Sequence, residues 1–256
     1  MNEILVFIAA GGSGQRLQKS FPLFRKSGLP KSLGIVINGR PILSYQLDSL
    51  IKLPKCQIVV AFNDKKSIQL FQGLVRKGKI PRYNYFLNID SGDPDMRHID
   101  LLKLSHPHKP WKDPFEKIII SSGDIFFNPD HILKLIKLSN LENCCVYTIS
   151  DFKRYMVRLK QHYQPLYNNS NTLIRIKIQK EVPREVVHHP YLLTEGAFKF
   201  YYKNNTSKSI FLKKIIQKGE RIKVLKPKVY LNINQPQDVV ELRRYFSSVS
   251  FNSTNY

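Results

Sequence analysis

The chain has 256 residues, 42% hydrophobic and 23% charged, a balance that lets it bury a core without disulfides or a structural metal. Its net charge is +22, with 19 basic and 10 acidic residues in 1–128 and 22 and 9 in 129–256. So even a spread leaves no basic tail or block to act as a nucleic-acid arm, no apolar run reaches the about 20 residues of a membrane span, and three cysteines, two of them adjacent (Cys144, Cys145), exclude a disulfide framework and favour a reducing compartment, the cytoplasm.

Residues 4–10, preceded by Glu3, are a continuous apolar run that leads into a Gly-rich turn. They are expected to form a buried strand rather than a secretory signal. Residues 41–53 place Ile42, Leu43, Leu47, Leu50 and Ile51 on one helical face. A buried strand is expected over 55–62, a helix over 65–76, and strands over 82–87 and 117–121. A helix over 130–138 has Pro129 near its first turn, and another strand covers 143–149. Strands that alternate with helices indicate a parallel, doubly wound sheet.

The second half changes character. Residues 154–161 and 173–179 read as strands around an Asn-rich turn at 168–171, an insertion beside the sheet. Residues 210–217 are expected to be helical, 221–231 extended, and 238–246 a closing helix. The Ser/Asn-rich residues 247–256 read as a frayed tail, and 107–114 as a loop.

The most informative stretch is Ala9-Ala10-Gly11-Gly12-Ser13-Gly14-Gln15-Arg16-Leu17, directly after the first strand. Glycines let a backbone turn tightly and bring its N–H groups close to an anion. Arg16 can offer a bidentate fork to phosphate oxygens. Such a loop lies at the carboxyl end of a strand, where α/β sheets bind ligands. It is neither a Walker loop, which ends in Gly-Lys-Ser/Thr, nor a dinucleotide fingerprint, whose third glycine is here Leu17. The alternative, taken alone, is a tight strand-to-helix turn.

The continuation separates these readings. Leu29-Pro30-Lys31-Ser32-Leu33 is followed by Ile35-Val36-Ile37-Asn38-Gly39-Arg40-Pro41 and then the helix from Ile42. Across residues 4–50 this resembles the nucleotidyltransferases with a glycosyltransferase-A-like fold. Their pattern is a strand, Ala-Ala-Gly-x-Gly-x-Arg-Leu, a variable loop, Pro-Lys-x-Leu, a strand, a Gly-x-Pro turn and a helix. The resemblance implies an α/β fold: a Rossmann-like mixed, mostly parallel sheet flanked by helices, with a small β insertion. It implies one domain over 1–246, with 1–150 as the nucleotide-binding half and 151–246 as the acceptor-binding half. It also implies that the backbone of Ala10, Gly11, Gly12, Ser13 and Gly14 holds a nucleoside triphosphate. Arg16 would bind the departing pyrophosphate, and Lys31, as an exposed cleft lysine, the α-phosphate. The alternative for Lys31 is an ordinary surface lysine.

Ile118-Ile119-Ile120-Ser121-Ser122-Gly123-Asp124 is an apolar strand that ends in Gly-Asp. A carboxylate just past a strand end faces the same crevice as the phosphate loop, and Mg2+ takes one or two carboxylates together with phosphate oxygens. The family places its first metal-binding aspartate here. The alternative is that Asp124 caps a following helix. Near the C-terminus, Tyr230-Leu231-Asn232-Ile233-Asn234-Gln235-Pro236-Gln237-Asp238 resembles the family's closing motif, but both candidate metal positions are Asn. Asn234 is the first choice for a weak second ligand and Asn232 the second; helix capping by Asn234 is the alternative.

The middle motif that reads the base is not evident. Asp93-Pro94-Asp95 is formally an Asp-x-Asp but reads as a loop, and His188-His189 reads as a loop pair without metal-ligand spacing. By resemblance, Lys180 and Glu195 fall on the acceptor side. The implied function is a Mg2+-dependent nucleotidyltransferase that acts on a nucleoside triphosphate and a phosphorylated small-molecule acceptor, a sugar 1-phosphate. A homo-oligomer is compatible with it, and specific nucleic-acid binding is not expected. The rivals are a glycosyltransferase on the same fold and a non-catalytic relative.

Overall fold

The structure, a computed structural model, describes residues 4–12, 28–89, 115–151, 162–179, 183–198 and 214–252. At its centre is β1 (Ile4–Ala9), whose six residues are all apolar because both its faces are covered. β4 (Cys56–Phe62) and β6 (Lys117–Ser122) pair with it in parallel, one on each side. β5 (Tyr85–Ile89) extends the sheet beyond β4. On the other side come β11 (Glu185–Thr194), β8 (Cys145–Asp151) and β12 (Ile222–Leu225), which completes the seven-stranded order β12-β8-β11-β6-β1-β4-β5. β11 runs antiparallel to both its neighbours and the other pairs are parallel, so the sheet is mixed and mostly parallel, as expected.

Strand alternation divides the core. Ile4, Val6 and Ile8 face Leu43, Leu47 and Leu50 of α2 (Ile42–Leu50), Phe71 of α3 (Lys65–Arg76), and Ile132 and Leu135 of α4 (His131–Glu142). Leu5 and Phe7 lie on the opposite face with Tyr147, Tyr191, Ile176, Phe198 and Ile215. α3 begins where Asp64 accepts a hydrogen bond from the Ser67 backbone N–H at 2.7 Å, as an N-cap does.

A third cluster joins segments far apart along the chain. Ile35, Ile37 and Ile42 come from the ribbon β2 (Val36–Ile37) and β3 (Arg40–Pro41) and the start of α2. They pack with Phe126 of β7 (Ile125–Phe127), Leu231 of β13 (Tyr230–Asn232), Ile233, and Val239 and Leu242 of α5 (Pro236–Asn252). β13 pairs antiparallel with β7, Asn232 opposite Ile125. The C-terminal segment is therefore tied to β7, directly after β6, in a two-stranded sheet separate from the seven-stranded one.

Several expectations change. Residues 185–194, in which His188 and His189 were expected in a loop, form β11. Pro190 has no N–H for the ladder, and the register shifts between His188 and Tyr191, which hides the strand pattern. The extended run over 221–231 divides into β12 and β13, in different sheets. α5 continues to Asn252 where a frayed tail was expected from 247: the Ser247 and Ser248 hydroxyls donate back to the carbonyls of Arg243 (3.0 Å) and Tyr245 (2.7 Å), so they supplement the helix instead of competing with it. The hairpin insertion consists of β9 (His162–Tyr167) and β10 (Leu173–Gln179); the strand expected over 154–161, Asp93, Asp95 and the loop at 107–114 lie outside the described residues. Among the described residues no helix is long and apolar enough to cross a membrane.

Candidate active site

β1, β4 and β6 end level with one another, Ala9 opposite both Ala61 and Ser122. The chain goes from β1 to β4 and β5 on one side and returns to β6 on the other. The carboxyl ends of β1 and β6 thus flank a topological switch point, where open α/β sheets form a crevice. Ala10, Gly11 and Gly12 lie at its rim. The Ala10 N–H donates to the Ala61 carbonyl at 2.8 Å, and the Gly12 carbonyl accepts from the Lys31 N–H at 3.0 Å.

Two glycines here are required by close approach. A Cβ on Gly11 would lie 1.7 Å from Asn63 Oδ1 and 2.8 Å from the Asn63 backbone nitrogen. A Cβ on Gly123 would lie 2.9 Å from Ser32 Cβ and 3.0 Å from Ala10 Cα. The loops after β1 and β6 are pressed together with the start of α1 (Lys31–Gly34). They are tied by Gly123 N–H to the Ala9 carbonyl at 2.8 Å and by Ser32 Oγ to the Ala10 carbonyl at 2.6 Å.

Lys31 opens α1 immediately after Pro30, whose extended backbone (φ −64°, ψ 145°) sets the direction of entry. The exposed cleft lysine or surface lysine expected from the sequence is in fact buried, with 8% of the residue exposed. Its Nζ forms an ion pair with Asp124 and donates to the carbonyl of Ile233 at 3.0 Å and to Asn234 Oδ1 at 3.3 Å. Ser122 Oγ donates to the other carboxylate oxygen of Asp124. Burial pushes the Asp124 carboxyl up, but the charge and hydrogen bond of Lys31, with the bond from Ser122, outweigh it and hold the group below the usual carboxylate range. Asp124 is therefore an anion at neutral pH. β7, not a helix, follows it, and its side chain is turned to Lys31, so it caps no helix.

Asn234 does not cap α5 either. Asp238 does so, by accepting from the N–H groups of Asn234 (2.8 Å) and Gln235 (2.9 Å). This leaves the Asn234 side chain to face the crevice, its amide nitrogen donating to Asn232 Oδ1 at 2.7 Å and its oxygen toward Lys31. The Ile233 N–H donates to the Asp124 carbonyl at 2.9 Å, which fixes the segment that carries both asparagines to the turn that carries the carboxylate. The structure thus brings Ala10, Gly11, Gly12, Lys31, Asp124, Asn232 and Asn234 together. Ser13, Gly14, Arg16 and Lys180 lie outside the described residues.

Glu195 is not part of this crevice. Its N–H donates to the carbonyl of Glu116 at 2.9 Å, and Thr194 pairs with Lys117, so it lies at the opposite end of β6. That is about 20 Å from Asp124 at roughly 3.3 Å per strand residue. The reason is direction: β11 is the antiparallel strand, and its C-terminal end points away from the edge where its parallel neighbours end.

Sequence reasoning missed Gln46. It is 2% exposed, and its amide nitrogen donates to the carbonyls of Ser122 (2.8 Å) and Ile125 (2.6 Å), while its oxygen accepts from Ser121 Oγ at 2.9 Å. One side chain thereby fastens both ends of the turn that presents Asp124. The available signal was a glutamine on the buried face of a helix, between Leu43 and Leu50. Asn63, at the end of β4 beside Gly11, was missed for the same kind of reason: a polar residue directly after an apolar strand.

Among the described residues no three His, Cys, Asp or Glu side chains cluster to hold a metal. The convergent donors are one carboxylate (Asp124), the amide oxygen of Asn234 with Asn232 behind it, and the Ile233 carbonyl. These are hard oxygen donors of the kind Mg2+ takes when substrate phosphate oxygens complete its shell, so they fit that ion. The cysteines offer no alternative nucleophile: all three are free and buried, and burial pushes the thiols of Cys56 and Cys145 up to about 12.

No family model matches the chain, and no curated protein matches it. Solved structures do share its fold. A UDP-glucose pyrophosphorylase complexed with UDP-glucose is 13% identical, covers 97% of this chain and 99% of its own, and has a TM-score of 0.68. The inositol-1-phosphate CTP transferase of T. maritima is 18% identical over 95% and 96% of the two chains, with a TM-score of 0.61. The 4-diphosphocytidyl-2C-methyl-D-erythritol synthase of Anaerococcus prevotii is 16% identical over 96% of each chain, also at 0.61. At these identities the likeness is one of fold, and it is the fold the sequence resemblance implied.

Proposed function

We propose that this chain is a Mg2+-dependent nucleotidyltransferase that joins the nucleoside monophosphate unit of a nucleoside triphosphate to a phosphorylated acceptor, a sugar 1-phosphate, and releases pyrophosphate. The observation that carries this reading is the convergence of the Ala10–Gly12 backbone, buried Lys31, ionised Asp124 and Asn234 on one crevice. That crevice lies at the switch point of a fold shared with proteins named for nucleotidyl transfer to sugar and polyol phosphates. Fold by itself does not assign a reaction; the residues in the crevice supply the argument.

The acceptor phosphate oxygen attacks the α-phosphorus in line, the bond from that phosphorus to the bridging oxygen breaks, and pyrophosphate leaves with the electron pair. Both reactants are anions, so fixed positive charge must bring them together and offset the charge of the transition state. The loop at residues 10–14 holds the triphosphate through backbone N–H groups. Lys31 neutralises charge at the α-phosphate and Arg16 at the leaving pyrophosphate, while Lys180 serves the acceptor phosphate. Mg2+, held by Asp124 and Asn234 with support from Asn232, would add Lewis-acid neutralisation of the phosphate oxygens. The acceptor is already a nucleophile, so no covalent enzyme intermediate is needed. The cytoplasm, where nucleoside triphosphates are held, is the compartment this chemistry and the free thiols fit.

The test is pyrophosphate release with each of four nucleoside triphosphates against a panel of sugar 1-phosphates. Release with one pair, dependent on both partners, is the expected result. Absence of release across the panel, or release that needs no phosphorylated acceptor, refutes it.

A further inference from the structure

Three oxygens of different chemical kinds surround one ammonium in the crevice: a carboxylate oxygen of Asp124, the carbonyl of Ile233 and the amide oxygen of Asn234, all on Lys31 Nζ. Carboxylate, carbonyl and amide oxygens are also what a hard divalent cation takes. The two cations cannot share the cage, because its single carboxylate balances one positive charge and like charges at contact distance repel. The Lys31 stem passes beside the phosphate loop, its Cε 3.6 Å from where a Cβ on Gly12 would stand. The ammonium thus stands between two places that need a cation.

We infer that Lys31 is the exchangeable counter-ion of this cage: it fills the site formed by Asp124, Ile233 and Asn234 when nucleotide is absent, and moves to the phosphates of the nucleotide as a divalent cation takes its place. The inference rests on the nucleotidyltransferase reading above. Charge balance gives the coupling its direction. A divalent cation entering the lysine-filled cage adds two positive charges with no new anion. A triphosphate supplies that anion and a new partner for Lys31 together, so metal and nucleotide bind jointly and metal alone binds weakly. The asparagines reinforce this, since a second carboxylate would hold metal without help from the nucleotide.

The test uses Mn2+ as the probe on the full, nucleotide-free chain, by electron paramagnetic resonance titration. Wild type is expected to bind it weakly, and Lys31→Met, which keeps the stem and removes the charge, at least about 10-fold more tightly; Lys31→Met with Asp124→Asn loses the gain. In a second arm, Lys31 in wild type reacts slowly with an amine-directed reagent followed by mass spectrometry, and Asp124→Asn raises its rate at least about 10-fold. Should Lys31→Met not fold, the second arm alone decides. Equal Mn2+ affinity in wild type and Lys31→Met, or unchanged labelling in Asp124→Asn, overturns the inference. Failure of the function reading is separate: tight Mn2+ binding by Lys31→Met with no pyrophosphate release by wild type leaves the exchange standing and removes the reaction.

Discussion

Gln46 offers the sharpest test of how the carboxylate is placed. Gln46→Leu keeps most of the volume and removes three hydrogen bonds, those to the Ser122 and Ile125 carbonyls and that from Ser121 Oγ. Each net bond is worth about 1 kcal/mol, and a buried group left unsatisfied costs roughly 1–3 kcal/mol. The added apolar surface returns about 1–2 kcal/mol, so the expected net loss is about 2–4 kcal/mol. Gln46→Glu separates geometry from packing. It keeps the shape but sets a carboxylate against two carbonyl oxygens, which raises the folded pKa of the new group above its unfolded value. Protonation relieves the conflict, so the deficit should be smaller at pH 5 than at pH 7 and grow as pH rises. Urea denaturation of wild type and both variants at the two pH values measures this. A Gln46→Leu variant within about 0.5 kcal/mol of wild type, or a Gln46→Glu deficit that ignores pH, would refute the clamp.

Lys31→Ala should lower kcat/KM about 10²–10³-fold, roughly 3–4 kcal/mol of transition-state stabilisation. It should also destabilise the fold, because it leaves partly buried Asp124 without its counter-charge. The double-mutant cycle with Asp124→Asn should show a coupling of about 1–3 kcal/mol in urea; additivity would mean the pair is not formed in solution. Asn234→Asp should tighten Mg2+ binding in the absence of nucleotide, read by calorimetry, since a second carboxylate balances the second metal charge; unchanged affinity would exclude Asn234 as a ligand. His131 is buried, with Nε2 2.8 Å from Thr148 Oγ1, and burial lowers its pKa from 6.5 to about 4. Its neutral form is the folded one, so its contribution is complete above pH 6.5 and lost as pH falls toward 4, at about 1.4 kcal/mol per unit; urea melts of wild type and His131→Gln between pH 7 and 4.5 should converge, and parallel curves would contradict this. Duplex DNA should bind only weakly, without sequence preference, and with steep loss in salt; tight, selective binding at physiological salt in an electrophoretic assay would contradict the expectation that the evenly spread +22 charge serves no specific nucleic acid.

Much of the sheet was legible because its signals are local. β1 is a continuous apolar run, β4 and β6 are built around the apolar runs 58–62 and 118–120, and α3 carries its own cap and face, so 65–76 falls where the structure has it. β11 was not legible: His188, His189 and Pro190 interrupt its pattern, and only pairing with β8 and β6 shows it to be a strand. The same strand explains why Glu195 lies away from the crevice, since nothing within residues 185–194 states that they run against their neighbours.

Residue types and order along the chain determined the Gly-rich turn after β1, the Pro30-Lys31 step, the strand ending in Asp124 and the asparagines of 232–234, because each depends on neighbours a few positions away. Tertiary structure alone decided what Lys31 does at rest. Its partners Asp124, Ile233 and Asn234 are 93 to 203 residues distant, and they meet because the third apolar cluster packs residues 35–42 against Phe126 and residues 231–242. Tertiary structure also assigned the two ambiguous side chains: Asp238 satisfies the start of α5, and this frees Asn234 to face the crevice. A local pattern can name a group that bears charge or a lone pair. Which of its options it takes is settled by the other groups that compete for it, and folding brings those from elsewhere in the chain.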